Sequence, residues 1–442
     1  MAPEARSSAG YTLLLLLLIN FLNFLDRALP AVVLEPIRRE FGLDDTALGM
    51  LNTAFTLVYA AVGLPIGRLA DRYPRTRILA FGVLLWSLLT AGTGLALSFA
   101  ALVAVRIGVG IGEASCAPAS NAMIGDLYPS ARRARALGLF MLGLPLGNIV
   151  AFAAGGAIAQ AYGWRAPFFA AAVPGVLLAA LIYFAREPQR GAQETRAVTA
   201  PLPVDRPFLR ILSIPTVWWI IVSGAAINFA AYAMATFLPA FLARYHGLSI
   251  AQAGFVTAIV LGVAGVVGLT GGGVLADRMH LRHTRGRLLL GAVALLVAAP
   301  LLWIAFVQPA GEVLTLTVLM AAGWMLYFVY YVTVYSSLQD VIEPQLRATA
   351  MAVYFFFMYV LGGALGSTVA GMLSDHYAKL ELARAGGGVM TDAVRALGLQ
   401  ASLSQTVPLA ILATGIAIWF ASRSYGQDAA RMQARLAEAA AR

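Results

Sequence analysis

Long apolar runs follow one another along this chain, and charged residues collect in the short segments between them. A helix needs about 20 mainly apolar residues to cross the hydrocarbon core of a bilayer. Because every backbone polar group inside lipid must be paired internally, runs of this length predict helices. We therefore predict an all-α membrane protein with twelve transmembrane helices, at 11–32, 47–69, 78–98, 101–124, 136–158, 166–185, 212–242, 251–275, 288–307, 312–338, 349–373 and 405–422.

The predicted spans form two halves that repeat each other's motifs. The motif "GRLADR" (Gly67–Arg72) follows the second span, and the similar motif "GVLADR" (Gly273–Arg278) follows the eighth. In the same way, "DLYPSARR" (Asp126–Arg133) follows the fourth span and "DVIEPQLR" (Asp340–Arg347) follows the tenth. Such an internal repeat indicates two parallel six-helix bundles, an architecture of secondary transporters. We predict an N-terminal bundle at 1–186, a Pro-rich and charged cytoplasmic linker at 187–210, a C-terminal bundle at 211–423 and a cytoplasmic tail at 424–442.

Composition and charge agree with this topology. Of 442 residues, 60% are hydrophobic and 12% are charged, whereas a soluble domain carries about 25% charged residues. With both termini in the cytoplasm, 22 of the 31 Lys and Arg residues fall on the cytoplasmic side, which is the positive-inside distribution. The net charge of +10 then follows from the membrane topology, and we predict no nucleic-acid partner. The remaining basic residues are Arg38, Arg39, Arg165, Arg244, Lys379, Arg384 and Arg395 outside, and Arg27 and Arg106 within spans.

The sequence carries no motif for chemical catalysis. A Walker motif, which would indicate ATP-driven pumping, is missing from the sequence. The single cysteine, Cys116, cannot form an intrachain disulfide. The four histidines lie in or beside loops without other potential metal ligands near them in sequence. We therefore expect no enzyme activity, no cofactor and no metal site.

Two ionisable residues interrupt the fourth span, in "RIGVGIGEAS" (Arg106–Ser115). Positions seven apart lie on one helix face, so Arg106 and Glu113 form a charged pair about 10 Å apart. Ionisable groups inside a membrane are costly and commonly mark a substrate path or a proton relay. We predict that Arg106 anchors a substrate head group and that Glu113 is a proton site. The alternative is a buried ion pair that holds the fourth helix to a neighbour.

The first two spans add polar groups to the same half. Asn23 and Arg27 share a face of the first span, and Asp26 lies beside them. Asp26 and Arg27 either form a second charged site along the substrate path, or they lie near the outer end of the span and extend to the membrane–water interface. Tyr59 belongs to a polar stripe of the second span. The predicted substrate-binding residues of this half are Asn23, Arg27, Tyr59 and Arg106, and Asp26 joins Glu113 in proton coupling.

The second half offers aromatic and amide groups in place of charges. No Asp, Glu, Lys or Arg lies in the middle of its predicted spans. We predict substrate contacts from Asn228 and Tyr232 in the seventh span and Tyr331 in the tenth. The alternative is that these aromatic residues pack between helices or anchor them at the interface. A charged wall opposite an aromatic wall would suit an amphiphile with a charged head and an apolar tail.

Several motifs resemble those of a known family. "GRLADRYPRTR" (Gly67–Arg77) resembles the loop signature of the major facilitator superfamily. "NFLDR" (Asn23–Arg27) and "RIGVGIGEAS…GDLYPSARR" resemble the Spinster family of lysolipid and sphingolipid transporters. The resemblance covers nearly all of the N-terminal half, is weaker in the C-terminal half, and departs at Cys116, where many relatives carry an aromatic residue. It implies the major facilitator fold and a cytoplasmic gate at Asp71, Arg72, Arg75, Asp277 and Arg278, whose alternative interpretation is topogenic charge.

The residues and the resemblance together predict a transporter. The leading hypothesis is a proton-coupled, monomeric secondary transporter of the plasma membrane or a bacterial inner membrane. It would move a lysophospholipid or a sphingosine-phosphate-like lipid by alternating access. The first alternative is a major facilitator porter for small organic anions. The second is a membrane enzyme or sensor that acts on lipid without moving it.

Overall fold

The structure, a computed structural model, describes residues 3–189, 207–283, 285–343 and 346–440. Regular structure in these ranges is entirely helical. Twelve helices in the described ranges are long and apolar enough to cross a membrane, which confirms the predicted fold class. Most of the predicted linker and the last two residues of the predicted tail lie outside these ranges. The candidate spans, numbered 1 to 12 in order, are Ala9–Val32, Asp45–Ala70, Arg75–Gly94, Phe99–Leu127, Ala136–Tyr162, Ala166–Tyr183, Pro215–Tyr245, Ile250–Ala276, Gly286–Phe306, Val313–Asp340, Thr349–Arg384 and Asp392–Arg435.

The chain forms two compact units, and the first contains spans 1 to 6. It comprises the described residues of Met1–Ala197 together with Leu248–Ala258, the beginning of span 8. The sequence placed that second segment in the C-terminal bundle, and the predicted domain boundaries remain a prediction. The helices of this unit are α1 (Pro3–Val32), α2 (Leu34–Phe41), α3 (Asp45–Arg72), α4 (Arg75–Gly94), α5 (Phe99–Glu113), α6 (Cys116–Leu127), α7 (Ser130–Met141), α8 (Gly143–Tyr162), α9 (Ala166–Tyr183) and, from span 8, α12 (Ile250–Thr257).

The second unit comprises the described residues of Val198–Gly247 and Ile259–Arg442. Its helices are α10 (Pro207–Leu212), α11 (Pro215–Tyr245), α13 (Ala264–Arg282), α14 (Gly286–Phe306), α15 (Val313–Asp340), α16 (Arg347–Phe357), α17 (Ala364–Arg384) and α18 (Asp392–Ala440). One π-helical turn, Ala258–Val263, connects α12 to α13 in span 8, and another, Met358–Gly363, connects α16 to α17 in span 11.

Side-chain caps fix where several helices begin. Asp44 accepts a hydrogen bond from the amide of Ala47 at the start of α3, and Ser98 accepts one from Ala101 at the start of α5. Ser249 and Gln252 form a reciprocal capping box at the start of α12. Such caps satisfy amide groups that the first helical turn leaves unpaired.

Span 4 is broken immediately after Glu113. Helix α5 ends there, and α6 resumes at Cys116. In the break, the amide of Ser115 donates to the carbonyl oxygen of Gly112 at 3.2 Å, which closes a tight four-residue turn. The hydroxyl of Ser115 donates to the same carbonyl at 2.8 Å. The break places Glu113 at the last turn of a helix inside the membrane span.

Spans 3 and 4 pack closely around Gly112. A methyl group at this position would meet the carbonyl oxygen of Gly82 and the backbone nitrogen of Trp86. Small residues permit such backbone approach between membrane helices. The contact therefore fixes the register of span 4 on span 3, one residue before Glu113.

We expect Gly112→Ala to lower the melting temperature of the purified protein in detergent. The added methyl group must push spans 3 and 4 apart, and overpacking of this kind costs about 1–3 kcal/mol. Gly138→Ala is the matched control, because an added Cβ at this helical position meets nothing within 4 Å. The control should be neutral or slightly stabilising, since alanine is the better helix former. Equal melting temperatures for the two variants would contradict the packing argument.

Asn228 holds spans 7 and 11 of the second unit together. Its side-chain amide donates to the carbonyl oxygen of Met358 at 3.0 Å, at the beginning of the π-turn. The residue is buried, with 4% of its surface exposed. The amide nitrogen is thus engaged in helix packing, and the predicted substrate contact of Asn228 stays a prediction.

Helix α18 continues far beyond the predicted twelfth span, to Ala440. The hydroxyl of Tyr425 donates to Asp340 at 2.8 Å. Asp428 accepts from the amide and the hydroxyl of Thr216, at 3.1 and 2.7 Å. The predicted tail is therefore, as far as it is described, the end of the same helix, and it is fixed to the ends of spans 7 and 10.

Candidate functional site

A buried ion pair joins spans 1 and 4. The Nε of Arg27 donates to Oε2 of Glu113 over 2.7 Å. The side chain of Glu113 is 0% exposed and that of Arg27 is 14% exposed. Removing one partner of a buried pair costs about 3–5 kcal/mol, because the other charge is left uncompensated. The second oxygen of Glu113, Oε1, is buried and accepts no well-formed hydrogen bond from any described residue, with the side chain of Asn23 beside the carboxylate.

This ion pair resembles the alternative that the sequence left open. The sequence placed Arg106 and Glu113 on one helix face about 10 Å apart, too far for direct contact, or in a buried ion pair that holds the fourth helix to a neighbour. The observed contact joins Glu113 to Arg27 of span 1, and the predicted roles of Arg106 and Glu113 stay predictions. Arg27 belongs to a neighbouring helix and therefore reaches the carboxylate across the helix interface.

Arg106 completes a cluster of four charges. It is 3% exposed, and its Nη1 donates weakly to the backbone oxygen of Asp26 at 3.5 Å. The opposite charges of Glu113 and Asp26 and the like charge of Arg27 all act on its guanidinium group. With all four groups ionised, the cluster is formally neutral. Loss or gain of one proton therefore changes the charge of the whole cluster.

Span 2 supplies an aromatic platform for both arginines. The guanidinium of Arg27 lies 4.1 Å from the ring centroid of Tyr59 and 5.5 Å from that of Phe55. The guanidinium of Arg106 lies 5.0 Å from the same Phe55 ring. Cation–π contacts of this kind stabilise a cation where water is excluded. Phe55 was missed by sequence reasoning, although its position one turn before Tyr59 places both on one side of the helix.

Asp26 accepts a hydrogen bond from a residue that the sequence analysis did not predict to belong to the site. Its Oδ2 accepts a hydrogen bond from the hydroxyl of Thr90 in span 3 at 3.1 Å. Its Oδ1 is buried and accepts no hydrogen bond from any residue in the described ranges. Thr90 was missed because one threonine in an apolar span carries no signal in sequence. The structure thus brings six predicted residues together in the first unit: Asn23, Asp26, Arg27, Tyr59, Arg106 and Glu113.

Cys116 lies at the edge of this cluster. Its thiol is 1% exposed and lies 4.0 Å from the side-chain oxygen of Asn20. Asn20 in turn donates to the carbonyl oxygen of Phe140 at 2.8 Å. Cys116 therefore fills space between spans 1 and 4.

In the second unit, tyrosines form a connected cluster on spans 10 and 11. The hydroxyl oxygens of Tyr327 and Tyr331 lie 2.6 Å apart, and those of Tyr330 and Tyr354 lie 2.9 Å apart. Buried tyrosines need such partners for their hydroxyl groups. Tyr330 and Tyr354 are fully buried and pack the unit. Tyr331 and Tyr232 are half-buried, and their predicted substrate contacts stay predictions.

One predicted gate residue, Arg75, is buried and forms part of a charged clamp within the first unit. Its guanidinium pairs with Asp126 and donates to Glu187 at 2.7 Å. Glu187 also accepts from the amide of Thr76 at 2.8 Å. Burial alone would raise the pKa of Glu187, but the hydrogen bonds from Thr76 and Arg75 hold it below its ordinary value. The clamp ties together the ends of spans 3, 4 and 6.

The second unit repeats part of this clamp. Asp340, the counterpart of Asp126 in the repeated motif, pairs with Arg287 at 3.5 Å. Arg72 and Arg278 are exposed. The side chains of Asp71 and Asp277 lie outside the described part of the structure. The gating role of these residues remains a prediction.

Comparison with known proteins agrees with the architecture and the motifs. The Major Facilitator Superfamily profile matches residues 16–367. Among solved structures, a bacterial homolog of the human lysosomal transporter Spinster, in an inward-facing and unoccupied conformation, aligns with a TM-score of 0.86 and 29% identity. The alignment covers 97% of this chain and 99% of that chain. The chain belongs to the Spinster family of the major facilitator superfamily. It is therefore a multi-pass membrane transporter of the Spinster type.

Other relatives of this Spinster-type transporter have different names. An "MFS-type efflux pump" of Mycolicibacterium smegmatis is 32% identical over 417 residues, which cover 93% of this chain and 92% of the relative. The hexuronate transporter of Bacillus subtilis is 26% identical over 370 residues, which cover 82% of this chain and 87% of the relative. Within the chain, the motifs that carry the Spinster resemblance also supply the four charges of the buried cluster.

Proposed function

We propose that this chain is a proton-coupled secondary transporter of an amphiphilic lipid with an anionic or zwitterionic head group, such as a lysophospholipid or a sphingosine phosphate. It would work by alternating access. The observation that carries the proposal is the buried cluster of Asp26, Arg27, Arg106 and Glu113. Arginines recognise phosphate and carboxylate groups in the bidentate geometry that their planar fork allows.

The cluster provides a route for coupling between substrate and proton. A head group that binds Arg27 would compete with Glu113 for the same guanidinium, because Arg27 and Glu113 form an ion pair. Displaced from Arg27, the buried carboxylate loses its compensating charge and favours proton uptake. When the substrate leaves, the ion pair forms again and the proton is released. Binding of substrate and proton then favour each other, as symport requires.

The second unit contributes to this proposal through its aromatic cluster. The half-buried rings of Tyr232 and Tyr331 offer apolar faces with polar edges. Such rings suit the apolar part of an amphiphile and the groups next to its head. A sugar acid would instead require polar groups along its whole length.

Transport into sealed proteoliposomes tests this function directly. We expect labelled lysophosphatidylcholine or sphingosine phosphate to enter faster with the purified protein than in protein-free vesicles, and faster again with an imposed pH gradient. Labelled hexuronate is the competing substrate, because one relative carries that name. Uptake of hexuronate without uptake of either lipid would replace the proposal by a porter for small organic anions. Mass spectrometry of the recovered lipid should find it chemically unchanged, whereas conversion would indicate an enzyme.

A further inference from the structure

Thr90 uses its hydroxyl in an unusual way for a helical threonine. Threonines inside helices commonly donate to the carbonyl oxygen four residues earlier in their own helix. Thr93 does so, with a hydrogen bond to Leu89 of 3.1 Å. The hydroxyl of Thr90 points away from its own helix and donates to Oδ2 of Asp26 at 3.1 Å. Both threonines are 0% exposed, so the difference lies in their partners.

Thr90 provides the only side-chain hydrogen bond to the Asp26 carboxylate in the described part of the chain. Oδ1 of Asp26 is buried without a partner, and Oδ2 accepts from Thr90. The charges that act on Asp26 come from Glu113 and Arg106 of span 4, and Arg27 is its neighbour in sequence. Spans 5 and 6 also pack against span 1, but from Gly143 to Tyr183 they carry no ionisable side chain of Asp, Glu, His or Lys. Their only arginine, Arg165, lies in the turn between them.

We propose that Thr90 is a positioning residue that sets the proton affinity and orientation of Asp26, and so the pH at which transport responds to protons. The inference rests on the proposed function, in which Asp26 is one of two proton-coupling carboxylates. A hydroxyl that donates to a carboxylate favours the ionised form. Without this donor, Asp26 should take up its proton at a higher pH. The hydroxyl also fixes the rotamer of Asp26, with Oδ1 left open to a proton.

The test is the substitution Thr90→Val, which keeps the shape and removes the hydroxyl. We expect the pH of half-maximal transport to move upward by about one pH unit, because a hydrogen bond to a charged group corresponds to roughly one to two such units. Thr90→Ser, which keeps the hydroxyl, should restore the original profile. Thr93→Val is the matched control, since it removes an equally buried hydroxyl from the same span. It should leave the profile where it was.

A second readout does not depend on transport. The infrared absorption of protonated carboxyl groups, titrated with pH in the purified protein, should contain a component that Asp26→Asn removes. In Thr90→Val this component should appear at higher pH than in the unsubstituted protein. If Asp26→Asn changes neither the pH profile of transport nor the infrared titration, Asp26 is excluded as a proton-coupling residue of the proposed function. If Asp26→Asn changes both while Thr90→Val changes neither, the role of Thr90 is overturned and the proposed function stands.

Discussion

Replacement of Glu113 by glutamine is expected to abolish the stimulation of transport by an imposed pH gradient, while exchange of substrate across the bilayer continues. Glutamine resembles the protonated carboxyl in shape and charge, and its amide oxygen still accepts the hydrogen bond from Arg27 that spans 2.7 Å. The variant should therefore bind substrate but carry no proton at this site. The measurement is uptake of labelled lipid into proteoliposomes, with and without a gradient, beside exchange between equal concentrations.

Glu40→Gln is the matched control for this experiment. Glu40 accepts hydrogen bonds from Arg165 and Trp164, and these lower its pKa to about 2. It therefore stays ionised at any pH of the assay and exchanges no protons. The control should keep its response to the gradient. Full gradient-driven accumulation by Glu113→Gln would remove Glu113 as a coupling site and leave Asp26 as the candidate.

The transmembrane spans and the internal repeat could be predicted because the bilayer constrains each apolar run by its own length and composition. An apolar run of sufficient length must be helical, and this requirement does not depend on its neighbours. The twelve predicted spans consequently match the twelve candidate spans, with differences mainly at their ends. Helix α18 differs most, since hydropathy cannot detect the contacts of Tyr425 and Asp428 that extend it beyond the apolar run.

Which side chains contact one another inside the buried cluster could not be predicted from sequence in the same way. Helical periodicity places Arg106 and Glu113 on one face, but it does not say which side chain of a neighbouring helix lies opposite. That choice depends on the register of the packed helices, which the contact at Gly112 helps to fix. The interruption of span 4 after Glu113 does have a signal in the sequence, which the sequence analysis did not use. Pro118 cannot donate to the carbonyl oxygen of Ala114 four residues earlier, and its ring crowds that carbonyl. Thr90 and Phe55 acquire their roles only through Asp26 and the two arginines that they contact.

Arg106→Lys should lose most substrate transport although the protein still folds and inserts. The guanidinium of Arg106 lies 5.0 Å from the Phe55 ring and, among the described residues, makes one weak hydrogen bond, to the backbone of Asp26. Most of its donors are thus available to a phosphate or carboxylate. Lysine keeps the charge but loses the planar fork. The loss of one hydrogen bond to a charged head group corresponds to roughly a ten- to hundredfold weaker interaction.

The experiment must separate this effect from a structural one. Expression level and melting temperature of Arg106→Lys should remain close to those of the unsubstituted protein, because the positive charge still balances Asp26 and Glu113. Arg165→Lys provides the same substitution outside the cluster, where the arginine binds Glu40 at 2.6 and 2.8 Å, and it should preserve transport. A loss of transport by Arg106→Lys that follows a parallel loss of thermal stability would instead identify Arg106 as a structural pin between spans 1 and 4. Loss of transport at unchanged stability supports a contact with the head group, because lysine keeps the positive charge but loses the planar fork.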